Sequence, residues 1–463
     1  SWTDFYRPNF DLVNSEMTLV YEGKHTKYRG QATKDNLFKL ELDSKKFQLG
    51  ALGQHILNLS TMAMQRVNDT RNVDVEAPLA SDPLTGYTVR MGKVFKYGEP
   101  MGVFAQTYSF LNPITRFNWG VSLMDDIAFN EKLTMKLGAR YDFFSTKDDR
   151  KGGAQNMGYI DYLLRNMQGA AMNFDPINDK ESGFSFLGVV SYAHSQLLNA
   201  SYRFSTGFRV PNTEEKYFQF YSAWPSFIVL SNRDLKAEKS YNHELEFNGR
   251  GKGFGYLLSL YYNQYSDFIE LKQGTLAVKE PLMQAPKSIS YVKNVNQTSA
   301  HLKGFDAALQ LYPGEWIDLL KGFMVSSAFS YAEGSSSSGM SMLGIQPLTG
   351  NIGVEYTDPK ARWQVNIKAN LYFAKPVSQT TFWDKDAAGK ELIRRYPASF
   401  MSNAYTFDAY GYYKVTRNFT VRLGIYNILN SEYLRWDDLR QLTNPALLSN
   451  INYFFQDGKK SLS

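Results

Sequence analysis

The chain contains no cysteine. This excludes disulfide scaffolds, Cys-ligated zinc or iron–sulfur sites and thiol catalysis. It also lacks any run of about 18 apolar residues, so membrane-spanning helices are excluded. Mean hydropathy is only −0.39. A β-barrel survives that value, because its strands are apolar on one face alone. Basic runs are missing too. The 51 Lys and Arg against 45 Asp and Glu leave a scattered net charge of +6, which gives no support to a nucleic-acid partner. Histidine is scarce, with 5 in the chain. No HxxxH, HExxH or carboxylate cluster points to a metal site. No Ser/His/Asp arrangement points to hydrolysis, so neither an enzyme nor a permanently bound cofactor is expected. The segment Gly249–Gly255 (GRGKGFG) has the wrong spacing for a phosphate loop and reads as a tight hairpin.

Aromatic residues are abundant: 31 Tyr and 32 Phe bring the aromatic share to 15%. That suits strands and membrane-interface belts. At 463 residues several soluble domains would be usual, yet no composition shift divides the chain, and 1–463 is read as one domain. Period-two alternation dominates. In Leu197–Arg209, Tyr202, Phe204, Thr206 and Phe208 share one face and Ser201, Arg203, Ser205, Gly207 and Arg209 the other. From Lys239, Tyr241, His243, Leu245 and Phe247 alternate with Asn242, Glu244, Glu246 and Asn248. Leu257–Tyr265, Phe323–Tyr331, Trp363–Tyr372, Thr406–Tyr413 and Phe419–Ile425 behave alike. Short turns (130–132, 194–196, 250–253, 358–360, 416–418) alternate with long connections (67–117, 146–182, 211–238, 272–298, 336–348, 375–402, 429–450). An outer-membrane barrel obeys such a rule, with periplasmic turns on one side and extracellular loops on the other. The parity requires 101–112 to lie within a loop, as a small hairpin.

The predicted fold is therefore all-β: a transmembrane antiparallel β-barrel with long extracellular loops. About fifteen strands are expected, near 15–24, 36–48, 53–66, 118–130, 132–145, 182–195, 197–210, 239–250, 254–271, 299–313, 322–335, 349–358, 361–374, 403–415 and 418–428. Bacterial single-chain barrels have even strand numbers, and plugged transporters have about 22. The odd count, the non-initiator Ser1 and the ending KKSLS lead us to expect a domain incomplete at both ends. A preceding plug domain and the last strand would then lie outside this sequence.

The most distinctive stretch is bounded by FRVPNTEE (Phe208–Glu215) and NRDLKAE (Asn232–Glu238), with Tyr217, Phe218, Phe220, Tyr221, Trp224 and Phe227 between them. A loop this aromatic is a poor solvent-exposed linker and is expected to contact a ligand or partner. The pair resembles the FRAP and NPNL boxes of TonB-dependent receptors, specifically the haemoglobin, haemoglobin–haptoglobin, transferrin and lactoferrin receptor group. Leu133–Phe144, Leu235–Phe247, Ile345–Gly350 and Tyr426–Arg440 are similar to further segments of that family. The resemblance implies an energised importer in the bacterial outer membrane. Haemoglobin or haemoglobin–haptoglobin would dock on the loops, haem would be the transported ligand, and the TonB complex would act through the plug. A lipoprotein co-receptor is left open. Transferrin, lactoferrin or siderophore receptors are alternatives within transport, and a passive porin or adhesin is the alternative from another class.

On that resemblance the first box is Phe208, Arg209, Pro211 and Glu215, with Val210 in place of the commoner Ala. The second is Asn232, Leu235 and Glu238, with Arg233 and Asp234 replacing Pro and Asn. These residues either border a haem passage or fasten the loop, with Pro211 ending the strand and Arg209–Glu215 tying its base. The family commonly places a haem-ligating His between the boxes, but 216–231 contains none. Tyr217 and Tyr221 are then the candidates, since tyrosinate can ligate haem iron. They and their aromatic neighbours can equally clasp porphyrin, cover a protein surface or pack the loop. Parity turns His243 to the lipid face and puts His194 and His55 at the periplasmic side. It leaves His25 and His301 near the outside. Arg203, Arg209, Glu244 and Glu246 are expected to line the lumen.

Overall fold

The computed structural model describes residues 2–6, 9–13, 16–80, 87–90, 93–100, 104–108, 114–148, 167–170, 177–223, 226–279, 285–385, 391–396, 402–433, 435–436 and 461–462. The principal strands are β1 (Glu16–Asp43), β2 (Gln54–Ala80), β3 (Ile114–Ala128), β4 (Leu133–Asp148), β5 (Asn178–Ser195), β6 (Leu198–Arg209) and β7 (Glu238–Gly251). They continue with β8 (Phe254–Val278), β9 (Lys287–Leu311), β10 (Phe323–Ser336), β11 (Thr349–Thr357), β12 (Trp363–Tyr372), β13 (Ala404–Lys414) and β14 (Thr420–Tyr426). Each pairs antiparallel with the next, in an unbroken up-and-down meander. Near the start, Trp2–Tyr6 and Asn9–Val13 pair back onto β1.

Local chemistry fixes the tight turns. Asn130 Oδ1 accepts from the amides of Lys132 and Leu133 at 2.8 and 2.9 Å. Asp358 Oδ2 does the same for Lys360 and Arg362 at 3.2 and 3.3 Å. Gly253 turns the β7–β8 hairpin at φ 82°, and a Cβ there would lie 2.7 Å from the Trp316 ring.

The register separates two faces. Leu123, Leu137, Phe186, Leu260, Val365 and Leu423 stand exposed on one. The opposite face carries ion pairs: Lys136–Asp126 at 2.9 Å, Arg140–Asp142 at 2.7 Å and Arg203–Glu244 at 2.8 Å. An apolar exterior and a polar interior are the inverse of a soluble sandwich and are what lipid requires. Aromatic rings edge the apolar face near the short turns. Phe323, Tyr356 and Trp363 pack as tilted rings in a row with centroids 4.8 and 4.9 Å apart.

Two expectations are corrected. The segments 15–24 and 36–48 are one strand, β1, paired to β2 from Tyr21 to Asp43. The bridging residues His25–Asp35 lack an apolar series but still satisfy their backbone in the ladder. The stretch Phe104–Tyr108 is not a separate hairpin within its loop. It pairs with Asn72–Glu76 of β2, and the small hairpin is Tyr87–Arg90 with Lys93–Lys96. Long loops also prove to be largely strand: β8 and β9, 25 residues each, stay paired from Phe254–Leu311 to Val278–Lys287.

Candidate functional site

Pro211 stops β6, having no N–H for the ladder. The helix α1 (Thr213–Tyr217) starts immediately. Asn212 caps it: its Oδ1 accepts the Glu215 amide at 2.7 Å, while Glu215 Oε2 accepts the Asn212 amide at 2.9 Å. Glu215 has a second task. Its carboxylate oxygens receive Arg209 Nη1 at 2.8 and 3.1 Å. Arg209 Nε donates to Glu238 Oε2, and Glu238 Oε1 accepts the Ile269 amide at 2.6 Å. One guanidinium thus fastens the first box, the second box and β8.

The second box is held from α1. The Asn232 amide donates to the Lys216 carbonyl at 3.1 Å. Asn232 Nδ2 donates to the Asn294 carbonyl at 2.8 Å, and Asn294 Nδ2 returns a bond to the Glu215 carbonyl at 3.1 Å. Leu235 is 2% exposed. Lys216 is buried, with Nζ 2.9 Å from Glu181 and 3.1 Å from Asp179 on the inner face of β5. Residue separation hid these partners from sequence reasoning.

Between the boxes, Phe220–Ala223 and Ser226–Leu230 form a hairpin whose second strand adds in parallel to Ser290–Lys293 of β9. The loop therefore crosses β8 and is folded, not draped. Ile228, Leu230, Met167, Val278 and Ile289 make a small core beneath it.

Tyr217 is a buried residue, packed with Ile114 and Ile177. Its hydroxyl donates to Asp179, and Arg233 lies 5.9 Å over its ring. Burial, reinforced by Asp179, pushes its phenol well above the usual tyrosine range. That disfavours the tyrosinate that iron ligation requires. Phe218 is half-buried and caps α1, and Phe227, paired with Ser222 beside the hairpin turn, is half-buried. Phe220 and Tyr221 are described in backbone only, and Trp224 lies outside the described residues. The Phe208 ring leaves its expected lipid-face row to sit 6.4 Å from Phe144 and directly over Gly183.

His243 lies on the apolar face, 2.8 Å from the Tyr202 hydroxyl. His301 is exposed, 3.5 Å from Ser335 Oγ. His194 lies beside Tyr192 next to a short turn, and His55 is buried under Phe47, 2.8 Å from Asp125. The side chain of His25 is not among those described. Among the described residues no His, Asp and Glu cluster could hold a metal ion.

A second feature was not foreseen. A cavity of about 500 Å³ opens between Phe268–Gln273, Met340–Gly344 and the residues Thr381, Phe382 and Tyr396. Glu270 lies at its edge, accepting from Ser336 Oγ at 2.7 Å and Ser338 Oγ at 3.1 Å. Tyr396 packs tilted against Phe382 and edge-on to Trp436. Behind it Lys375 is buried, donates to the Ile345 carbonyl at 2.7 Å and lies 5.3 Å from the Trp436 ring. Burial pulls its ammonium down to about 8.

Residues 3–428 match the family described as TonB dependent receptor-like, beta-barrel. The chain is 27% identical over 387 residues to haemoglobin-binding protein A of Haemophilus influenzae, covering 76% of this chain and 37% of that protein. It is 29% identical over 352 residues to haemoglobin-haptoglobin utilization protein B of Neisseria meningitidis, covering 70% of this chain and 39% of that protein. The chain thus spans under half the length of these relatives. Among solved structures, FpvA of P. aeruginosa in its pyoverdine–iron complex aligns with a TM-score of 0.53 at 12% identity, covering 93% of this chain and 49% of that one. The copper transporter OprC aligns with a TM-score of 0.52 at 14% identity, covering 90% and 60%. These structures share the fold. The chain belongs to the family of TonB-dependent receptor β-barrels, proteins of the outer membrane.

Proposed function

We propose that this chain is the barrel part of a receptor that takes haem from haemoglobin or haemoglobin–haptoglobin. The supporting observation is the size of the extracellular platform. Crossing a bilayer takes about 9–11 tilted residues. β8 and β9 each have 25 and stay paired throughout, so the excess projects roughly 45 Å at about 3.3 Å per residue. The loop between the boxes is built into that projection. A small chelate needs no such ledge, whereas a docked protein does. The relatives named for haemoglobin and haemoglobin–haptoglobin binding agree with this reading.

In this proposal Arg209, Glu215, Asn232, Leu235 and Glu238 hold the loop, and Tyr217 and Phe218 anchor its base. Phe220, Tyr221 and Trp224 at the hairpin meet the haem protein or the haem. Transport would be driven by the TonB complex through a plug, with haem as cargo. The test is capture by the full-length receptor on haemoglobin, haemoglobin–haptoglobin, transferrin and haem–agarose. Haemoglobin or its haptoglobin complex should be retained, and Tyr221→Ala with Trp224→Ala should weaken retention at least tenfold while the barrel stays folded. Retention of transferrin alone would refute the proposal.

A further inference from the structure

The cavity beside Glu270 is built where three distant segments meet at the extracellular end. β8 supplies Phe268 and Glu270, and the connection after β10 supplies Met340 and Met342. The hairpin of Thr381–Lys385 with Glu391–Arg395 supplies Phe382 and leads into Tyr396. These walls are tied to one another. The Ser341 amide donates to Thr381 Oγ1 at 2.7 Å, and Thr381 Oγ1 donates to the Gly339 carbonyl at 3.0 Å. Trp436 Nε1 donates to the Leu343 carbonyl at 2.7 Å. Met340 and Tyr396 are each 4% exposed. The space is therefore preformed, and a group entering it would have little left to order.

Its charge is one-sided. Glu270, half-buried, is the sole charged side chain among the lining residues. Its partners among the described residues are hydroxyls. Oε2 accepts from Ser336 Oγ at 2.7 Å and Ser338 Oγ at 3.1 Å, while Oε1 has only a long contact of 3.4 Å with Ser338. The buried ammonium of the same loops, that of Lys375, donates instead to the Ile345 carbonyl and faces the Trp436 ring. A half-buried carboxylate with hydroxyl partners alone keeps its negative charge uncompensated, and beside an apolar wall that charge attracts a cation strongly. One engaged oxygen and one open oxygen suit the point charge of an ammonium better than the two-pronged guanidinium. The methionine and aromatic wall suits a methylene stem.

We propose that this cavity receives a lysine side chain of the docked protein. The stem lies along Met340, Met342 and Phe382, and the ammonium bonds Glu270 Oε1. The inference rests on the reading that a haem protein docks on these loops, and it gives that protein a second contact apart from the loop between the boxes. It is tested with haemoglobin on the full-length receptor, with folding verified by heat-modifiable gel mobility. Glu270→Gln keeps the shape and an acceptor for the serines but removes the charge. It should weaken haemoglobin affinity about tenfold or more. Glu315→Gln, exposed at the short turn on the opposite end of the barrel, should leave affinity unchanged. Carbodiimide joins a carboxylate to a touching amine as an amide, with loss of water. Applied to the complex, it should link Glu270 to a haemoglobin lysine, identified by mass spectrometry of the joined peptides. Added n-hexylammonium should compete with haemoglobin, and n-hexanol should not. Failure of the wild type to retain haemoglobin would overturn the docking reading and this inference together. Retention without a link at Glu270, or with Glu270→Gln at wild-type affinity, would overturn this inference alone. So would binding of n-hexylammonium without competition, which would mark a small-amine site instead.

Discussion

Replacing Arg209 by Met should free the loop while leaving the barrel intact. The side chain bonds Glu215 through Nη1 and Glu238 through Nε. Removing it leaves two carboxylates confronting one another with their cation gone. Charge-assisted hydrogen bonds contribute about 1.5–3 kcal/mol each when shielded, and exposed ion pairs about 0.2–1 kcal/mol. Arg209 sits between these limits: its side chain is 45% exposed, but that of Glu238 only 12%. Discounting for solvent leaves roughly 2 kcal/mol, about a thirtyfold rise in local opening. Amide hydrogen exchange reads this directly. The amides of Glu215, Lys216 and Phe218, and that of Ile269 on Glu238, should exchange about thirtyfold faster, with the β11–β13 ladder unchanged. Arg209→Lys should fall between, since an ammonium cannot bridge both carboxylates with a planar fork. Unchanged exchange at these amides, or an equal rise throughout the barrel, would refute the assignment of Arg209 as the fastener.

Gly183→Ala should loosen the same loop by about 1–3 kcal/mol, because its Cβ would lie 2.6 Å from the Phe208 ring. Gly188→Ala, where the nearest atom is Leu137 at 3.9 Å, should be nearly silent, and exchange or loop proteolysis compares the two. Lys375 has a folded-state pKa of about 8 against 10.5. The unfolded segment therefore binds more protons between those values, and segment stability should rise with pH through that window. The ceiling is about 3 kcal/mol. Urea-induced release followed by Trp436 fluorescence should show the rise, and Lys375→Met should flatten it.

The meander was legible because lipid imposes period two on every crossing strand and because Asn130, Gly253, Asp358 and Thr416 announce their turns. The Arg209–Glu215 tie was also legible, its partners being close in sequence. What escaped detection lies where lipid no longer dictates the pattern. Lys287–Asn296 of β9 reads as a polar loop, yet its backbone is paired throughout. Residues 25–35 bridge two apparent strands for the same reason. Lys216 with Asp179 and Glu181, Asn294 with Glu215, and Lys375 with Ile345 and Trp436 join distant segments with no local signature. Tyr217 looked like a ligand because aromatic residues in a loop resemble a surface until their burial is known.

The parallel strand Phe227–Leu230 has a consequence for life in a crowded membrane. Beyond Ala300, β9 leaves its neighbour β10, so its ladder groups would face outward as an open edge, the template on which another chain can pair. By lying on Ser290–Lys293, the loop occupies part of that edge with a segment of its own chain. The loop proposed to contact ligand thus also covers part of this edge against pairing with a neighbouring chain, and moving it away would expose the edge.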